Sequence, residues 1–252
     1  TASSATSRVS STMNPTASRL HRAEDEGWHD VFRLRYSARA RRAIPDAFAG
    51  DDFKSGIYEA VSDIAGRYNP VLAINADFCR YHRDGVIIRN GEVLRRQNIK
   101  KHHLLVVDQN GDLSAQTDRS GKQGLVANKL EQAKTWQTFE FGPVLVEDGK
   151  AATLPSSFYV NCHDGYYEPR TAIGQLGPLH YIVSWWTAAA RGYSTGAEHP
   201  AVAAALPRRG RGICVQSGRR RLDDALFPGR GRQHASGGKE RSVSDVIMFT
   251  AQ

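Results

Sequence analysis

The chain has 252 residues, 40% of them hydrophobic, with a formal net charge of +8 and a pI near 9.6. That length holds one large domain, or a domain with a tail, and enough apolar residues to bury a real core. No apolar run approaches the roughly 20 residues a membrane-spanning helix needs, and the three cysteines, Cys79, Cys162 and Cys214, are too widely spaced to define a disulfide framework or a zinc site.

Along the chain, residues 1–26 are expected to be a low-complexity linker. Residues 1 to 19 are mostly Ser, Thr and Ala and bury too little apolar surface to order themselves. The first residue is Thr rather than Met, which fits a removed leader or a fragment. Residues 27–252 are read as the folded domain. A helix is expected over 51–67, capped by Asp51 or Asp52, because Ile57, Val61 and Ile64 recur at helical spacing. Val71 to Ile74 is a short apolar run suited to a buried strand, and it delivers Asn75-Ala76-Asp77-Phe78 at its end.

Val86 to Leu94 predicts a hairpin, because Asn90-Gly91 supplies the positive φ angles of a tight turn. Leu104 to Val107 and the segment after Gly111 form a second pair around Asp108-Gln109-Asn110-Gly111. Phe141 to Lys150 repeats the strand-and-turn theme, Leu179 to Val183 reads as another buried strand, and Val246 to Phe249 as a last one. Strands dominate. The expected class is α+β, a largely antiparallel or mixed sheet with hairpins and a few flanking helices.

The positive charge is local. Residues 184 to 235 hold nine Arg, no Lys and three acids, Glu198, Asp223 and Asp224, and so contribute +6 of the +8. Runs such as Pro207 to Gly212 present no apolar face, so this stretch is expected to be irregular. The clusters Arg208-Arg209, Arg211 and Arg219-Arg220-Arg221 raise nucleic-acid binding. They lack interleaved aromatics and a helical stripe, and no nucleic-acid partner is expected.

Chemistry concentrates in Tyr166 to Gln175. Arg170-Thr171-Ala172-Ile173-Gly174 resembles a hallmark string of the phosphodiester glycosidase family, and Ala73 to Phe78, Phe141 to Gly149 and Lys239 to Asp245 resemble three further family segments in the right order. The resemblance implies hydrolysis of a sugar-1-phosphodiester, of the N-acetylglucosamine-1-phosphodiester type, at the glycosidic bond. It also suggests an extracytoplasmic protein, secreted or of the cell envelope, with exopolysaccharide or cell-wall phosphodiesters as the implied substrates. On this reading Arg170 clamps the phosphate, since a planar guanidinium suits a phosphodiester. Asp77 is a candidate carboxylate for water activation and Glu168 a further acid or base. Asn75, Thr171, Gly174, Arg241 and Ser242 are candidate substrate-binding residues. No cofactor and no metal are expected. His163-Asp164 and His102-His103 have no third ligand at a recognisable spacing, and turns or exposed faces account for them. Oligomeric state is open.

Two family segments are absent as written: Val-Asp-Gly-Arg after the strand at Val183, and an Asn-Leu-Asp-Gly-Gly-Gly-Ser loop. Both are permitted in other frames. Trp has one codon, so Trp185-Trp186-Thr187 read from the third base gives Val-Asp, and Gln216 to Leu222 read from the second base permits the glycine loop. Residues 30 to 45 behave alike. Compensated frameshifts near 30–45 and 184–235 are therefore expected, and a catalytically inactive remnant or a sugar-phosphate binding module is the competing function.

Overall fold

The computed structural model describes residues 17–25, 29–37, 44–77, 79–81, 83–99, 102–117, 124–156, 158, 162, 167–168, 170–186, 197–205, 214–217, 225–226, 240 and 242–250. β1 (Ala17–Asp25) and β2 (His29–Ser37) are antiparallel partners from Leu20↔Leu34 to Asp25↔His29. The linker expected over 1–26 is therefore shorter, because Ala17–Asp25 pairs through its backbone groups, which side-chain composition does not prevent at a sheet edge.

β3 (Asp46–Phe48) runs into a 3-10 turn at Ala49–Asp51, and β4 (Glu59–Ala60) then leads into α1 (Val61–Gly66). The helix expected over 51–67 is thus only its last third. Asp51 (φ 55) and Gly56 (φ 73) are left-handed, which stops a right-handed helix from starting earlier. Val61 and Ile64 face the core, whereas Ile57, the third residue of the expected stripe, is exposed.

β5 (Leu72–Asn75) is fully buried, and β6 (Val86–Arg89) and β7 (Glu92–Arg96) make the expected hairpin with Asn90 at φ 53 and Gly91 at φ 83. β8 (His103–Val107) and β9 (Leu113–Gln116) form the second pair, α2 (Leu125–Gln132) follows, and β10 (Gln137–Phe141) returns alongside β8. β11 (Val144–Glu147) and β12 (Lys150–Ala151) are a short hairpin, and β13 (Arg170–Gly177) and β14 (His180–Trp186) a long one. α3 (His199–Ala205), β15 (Cys214–Ser217), β16 (Ala225–Leu226), β17 (Ser242–Val243) and β18 (Asp245–Phe249) complete the order. Irregular structure was expected for 184–235, and the described α3, β15 and β16 correct that: their backbone groups are satisfied by helix and ladder bonds that a weak apolar pattern does not forbid. The rest of that stretch lies largely outside the described residues.

The architecture is mainly β, with antiparallel pairing throughout and three short α-helices among the described residues. A seven-stranded sheet has the order β1-β2-β14-β13-β15-β11-β12, a four-stranded sheet β16-β5-β18-β3 and a three-stranded sheet β10-β8-β9. One face of each contributes to a central core that includes Tyr36, Ile74, Phe139, Phe141, Ile173, Trp185 and Phe249. α3 covers the other face of the large sheet over Ala172 and Trp186, and α1 covers the other face of the four-stranded sheet over Ala73 and Met248.

Gly85 enters the first hairpin at φ +87, and a Cβ there would lie 1.3 Å from Glu140 Oε2. Glu140 is buried and its other oxygen is held 3.1 Å from His102 Nδ1, so it has little room to yield. Gly85→Ala is expected to destabilise the fold by about 2–4 kcal/mol; an unchanged denaturant midpoint would contradict this packing.

Candidate active site

The last residue of β6 is a charge in an otherwise apolar run. Arg89 is buried, and three aspartates converge on it from distant parts of the chain. Its Nε lies 3.0 Å from Asp46 Oδ1, and its Nη2 lies 3.3 Å from Asp77 Oδ1 and 3.1 Å from Asp245 Oδ2. The Asp46 contact is a close ion pair whose alignment is not that of a hydrogen bond. Nη1 donates to the carbonyls of Thr138 and Ile88, and the guanidinium sits 4.4 Å from the centroid of the Phe139 ring.

Three carboxylates share one guanidinium, so burial and mutual repulsion favour protons. Burial pushes Asp46 up to about 6 against the pull of Arg89. Burial, and next the Asp77 carboxylate, raise Asp245 well above the ordinary range. Burial opposes the charge on Arg89, yet Asp46, Asp77 and Asp245 together hold its pKa above the usual value. Cys79 adjoins the group, with Sγ 3.8 Å from Ser244 Oγ, and burial followed by the Asp245 and Asp77 charges keeps it a thiol. One ligand atom from each of Asp77, Cys79 and Asp245 lies within 4.8 Å of the others. Arg89 already supplies the cationic charge to both carboxylates there, which makes this an ion-pair knot.

Asp77 is accordingly fixed on both sides. Oδ1 meets Arg89 and Oδ2 accepts from Glu140 N at 2.8 Å, which ties the end of β5 to β10. Asn75 lies two residues earlier, pairs with Val246 across the ladder, and is fully buried. Strand alternation puts it on the side of Ala73, facing the α1 layer. Neither its side-chain oxygen nor its nitrogen has a hydrogen-bond partner among the described residues.

A second polar group forms where β13 begins. Arg170 is fully buried, its Nε donates to the carbonyl of Ala197, and its Nη1 lies 2.9 Å from His199 Nε2. A guanidinium only donates, so His199 Nε2 is the acceptor and the ring carries its proton on Nδ1. Glu168 reaches the same place through its backbone: Ala197 N donates to Glu168 O at 2.9 Å, and Glu168 N to Ala197 O at 3.3 Å. The Glu168 residue is half-buried. Thr171 points to the opposite face, with Ile173 in the central core, while Gly174 shares the Arg170 face. Ser242 is exposed on β17, paired with Ala60, and Arg241 lies outside the described residues, as do His163 and Asp164.

The structure thus gathers the expected residues into two groups. Asn75 and Asp77 close β5, Arg170 and Glu168 meet at Ala197, and Thr171 and Ser242 stand apart from both. Arg89, Asp46 and His199 were not legible as site residues. Arg89 offered a signal, a lone charge ending the run Val86-Ile87-Ile88, and Asp245 closes the family-like segment from Lys239. Asp46 and His199 offered none.

The phosphodiester glycosidase family model matches residues 68–191, a segment that holds Asn75, Asp77, Glu168 and Arg170. The fold is similar to the catalytic domain of zebrafish N-acetylglucosamine-1-phosphodiester alpha-N-acetylglucosaminidase, auto-inhibited by its pro-peptide, with a TM-score of 0.68 at 13% identity over 96% of this chain and 86% of that one. It is also similar to a hypothetical protein from Synechocystis (TM-score 0.59, 13% identity, 91% and 60% coverage). A candidate exported protein from Burkholderia pseudomallei gives a TM-score of 0.61 at 15% identity, over 92% of this chain and 75% of that one. No curated protein matches the chain by sequence.

Arg89→Met leaves three buried carboxylates without their cation and is expected to cost about 3–5 kcal/mol in urea unfolding. The knot also sets a pH dependence. Asp46 binds its proton more tightly in the fold (about 6) than in the free chain (3.8), so its contribution to stability is full below about pH 4 and is lost as pH rises through about 6. Asp245 moves in the same direction. Asp46→Asn should therefore lose less stability than wild type between pH 4 and 7.5, and an equal or steeper loss in the variant would refute the assignment.

Proposed function

We propose that the chain is a hydrolase that cleaves the glycosidic bond of a sugar-1-phosphodiester, releasing the free sugar and a phosphomonoester. The observation that carries this reading is the family match over residues 68–191, which holds Asp77 and Arg89 of one polar group and Glu168 and Arg170 of the other. In this reaction the leaving oxygen belongs to a phosphate and departs as a stabilised anion. Strong protonation of the leaving group, which most glycosidases obtain from one of two carboxylic acids, is therefore less necessary. A fixed positive charge near the phosphate does the equivalent work.

Arg170 is the proposed phosphate-recognising residue. The Ala197 carbonyl and His199 Nε2 fix the plane of its guanidinium, so little reorganisation is needed as charge develops on the phosphate. Glu168 is the proposed carboxylate for activating water or stabilising the oxocarbenium-like centre, being half-buried and tied to the same carbonyl. Asp77 acts chiefly by positioning: both its oxygens are bonded, and it holds Asn75 at the end of β5. Asn75 is a proposed substrate contact. A buried amide without partners costs roughly 1–3 kcal/mol per unpaired group, an expense that fits a residue kept to meet a polar ligand. Thr171, Gly174, Ser242 and Arg241 stay proposed as supporting residues by family resemblance.

The same reading extends to location and sequence. An envelope or secreted setting, with exopolysaccharide or cell-wall phosphodiesters as substrates, is supported by the candidate exported protein among the similar folds, and no described helix is long and apolar enough to cross a membrane. Compensated frameshifts near 30–45 and 184–235 remain proposed on the codon argument. Resequencing genomic DNA and transcript there should show single-base insertions or deletions; an unchanged sequence sinks that part.

The activity is tested with methyl N-acetylglucosamine-1-phosphate, following free sugar and methyl phosphate. Wild type should turn it over, and Arg170→Lys should lower kcat/KM by at least about 100-fold, since a lysine cannot reproduce the planar fork. Asn75→Leu should lower kcat/KM by about tenfold or more while leaving the melting temperature equal or higher, because it removes unpaired buried polar atoms. A lowered melting temperature with full activity would show that Asn75 is structural.

A further inference from the structure

Four tyrosines are exposed among the described residues, Tyr58, Tyr68, Tyr81 and Tyr167, and two of them, Tyr58 (39%) and Tyr81 (64%), form a pair. They lie against each other, ring centroids 4.9 Å apart and planes inclined by 35°. Tyr81 follows Asp77 in the loop after β5, and Tyr58 directly precedes β4, whose ladder partner β17 carries Ser242. The pair therefore sits beside two of the segments that bear proposed substrate contacts.

The loop beneath the rings is rigidly built. Arg80, between buried Cys79 and exposed Tyr81, reaches across to the 52–57 loop, where it donates to the carbonyl of Asp52, to Ser55 Oγ at 2.8 Å and to the carbonyl of Ile57 at 2.9 Å. Ser55 Oγ in turn donates to Ala49 O at 2.8 Å. From the other side Arg95 donates to the carbonyls of Cys79 at 2.7 Å and Asp84 at 3.0 Å, and its guanidinium lies 5.6 Å from the centroid of the Phe53 ring. Arg80, on the Tyr81 segment, thus ties it to the loop that presents Tyr58, and Arg95, on β7, holds it from the other side. Ordered aromatic rings cost a ligand little entropy to engage.

We propose that Tyr58 and Tyr81 form a stacking platform for a sugar ring of an extended glycan, outside the scissile linkage. This rests on the reading that the chain acts on sugar phosphodiesters, and it adds that the substrate is an oligosaccharide or polymer rather than a small diester. The face of a pyranose presents polarised C–H bonds that complement the negative face of an aromatic ring. Size argues the same way. A stable protein partner buries roughly 1,200–2,000 Å² in total, far more than two tyrosine faces offer. The neighbouring exposed residues Asp51, Asp52 and Lys54 are polar, so the rings form a small apolar island in a rim able to hydrogen-bond hydroxyl groups.

The test measures binding without turnover, using a linear N-acetylglucosamine tetrasaccharide as the probe, in parallel with hydrolysis of methyl N-acetylglucosamine-1-phosphate. Calorimetric titration of wild type should give saturable binding. Tyr81→Ala and Tyr58→Ala should each weaken it by tenfold or more, Tyr81→Phe should stay within about twofold, and all three should melt and hydrolyse the small diester like wild type. Failure of wild type to bind the tetrasaccharide, or alanine variants that bind like wild type, overturns the platform. Tetrasaccharide binding that depends on the tyrosines in a protein unable to hydrolyse the small diester overturns the hydrolase reading and leaves the platform standing.

Discussion

Arg89 is the point on which the structure depends. Its guanidinium collects carboxylates from β3, from the loop after β5 and from β18, and so joins segments near the start, middle and end of the chain through one side chain. A buried cation of this kind is stable only with partners, and the partners are stable only with it. Removing either would strand charge in the core. Thr138 reinforces the junction, because its hydroxyl accepts from Ile88 N and donates to Val86 O, both at 2.8 Å, stitching the arginine-bearing strand to β10. Apolar packing around Phe139 then excludes water from the whole assembly.

The knot reaches the surface by a continuous chain of contacts. Arg89 lies 5.9 Å from the centroid of the Phe48 ring, Phe48 packs on Phe53 at 5.5 Å, and Phe53 meets Arg95, which grips the loop carrying Tyr81. Position at the end of β5 is therefore set by core electrostatics, while the Arg170 group is set separately by the large sheet and the segment leading into α3.

Much of the sheet content was legible because turn chemistry and apolar runs are local. Asn90-Gly91 announced the first hairpin, and Val71 to Ile74 read as a buried strand and is one over Leu72–Asn75. The failures were also local in cause. Ile57, Val61 and Ile64 imitate a helical stripe, but left-handed Asp51 and Gly56 confine the helix to Val61–Gly66. Ala17–Asp25 and Cys214–Ser217 join the large sheet through backbone bonds that composition does not report. The candidate site was half visible: Asp77 and Arg170 stood in recognisable strings, whereas the partners that decide their roles, Arg89 and His199, are distant in sequence and came together only on folding. Asp77 illustrates the gain. Its sequence context made it a candidate carboxylate for water activation, and its geometry shows both oxygens already engaged, with Arg89 and with Glu140 N.

The most direct test of the account asks which bond breaks. Hydrolysis of a sugar-1-phosphodiester in water enriched in oxygen-18, with mass spectrometry of the quenched products, separates attack at the sugar carbon from attack at phosphorus. The account predicts label in the released sugar and an unlabelled phosphomonoester. Label in the phosphomonoester would mean cleavage of the phosphorus–oxygen bond and would contradict the glycosidase assignment.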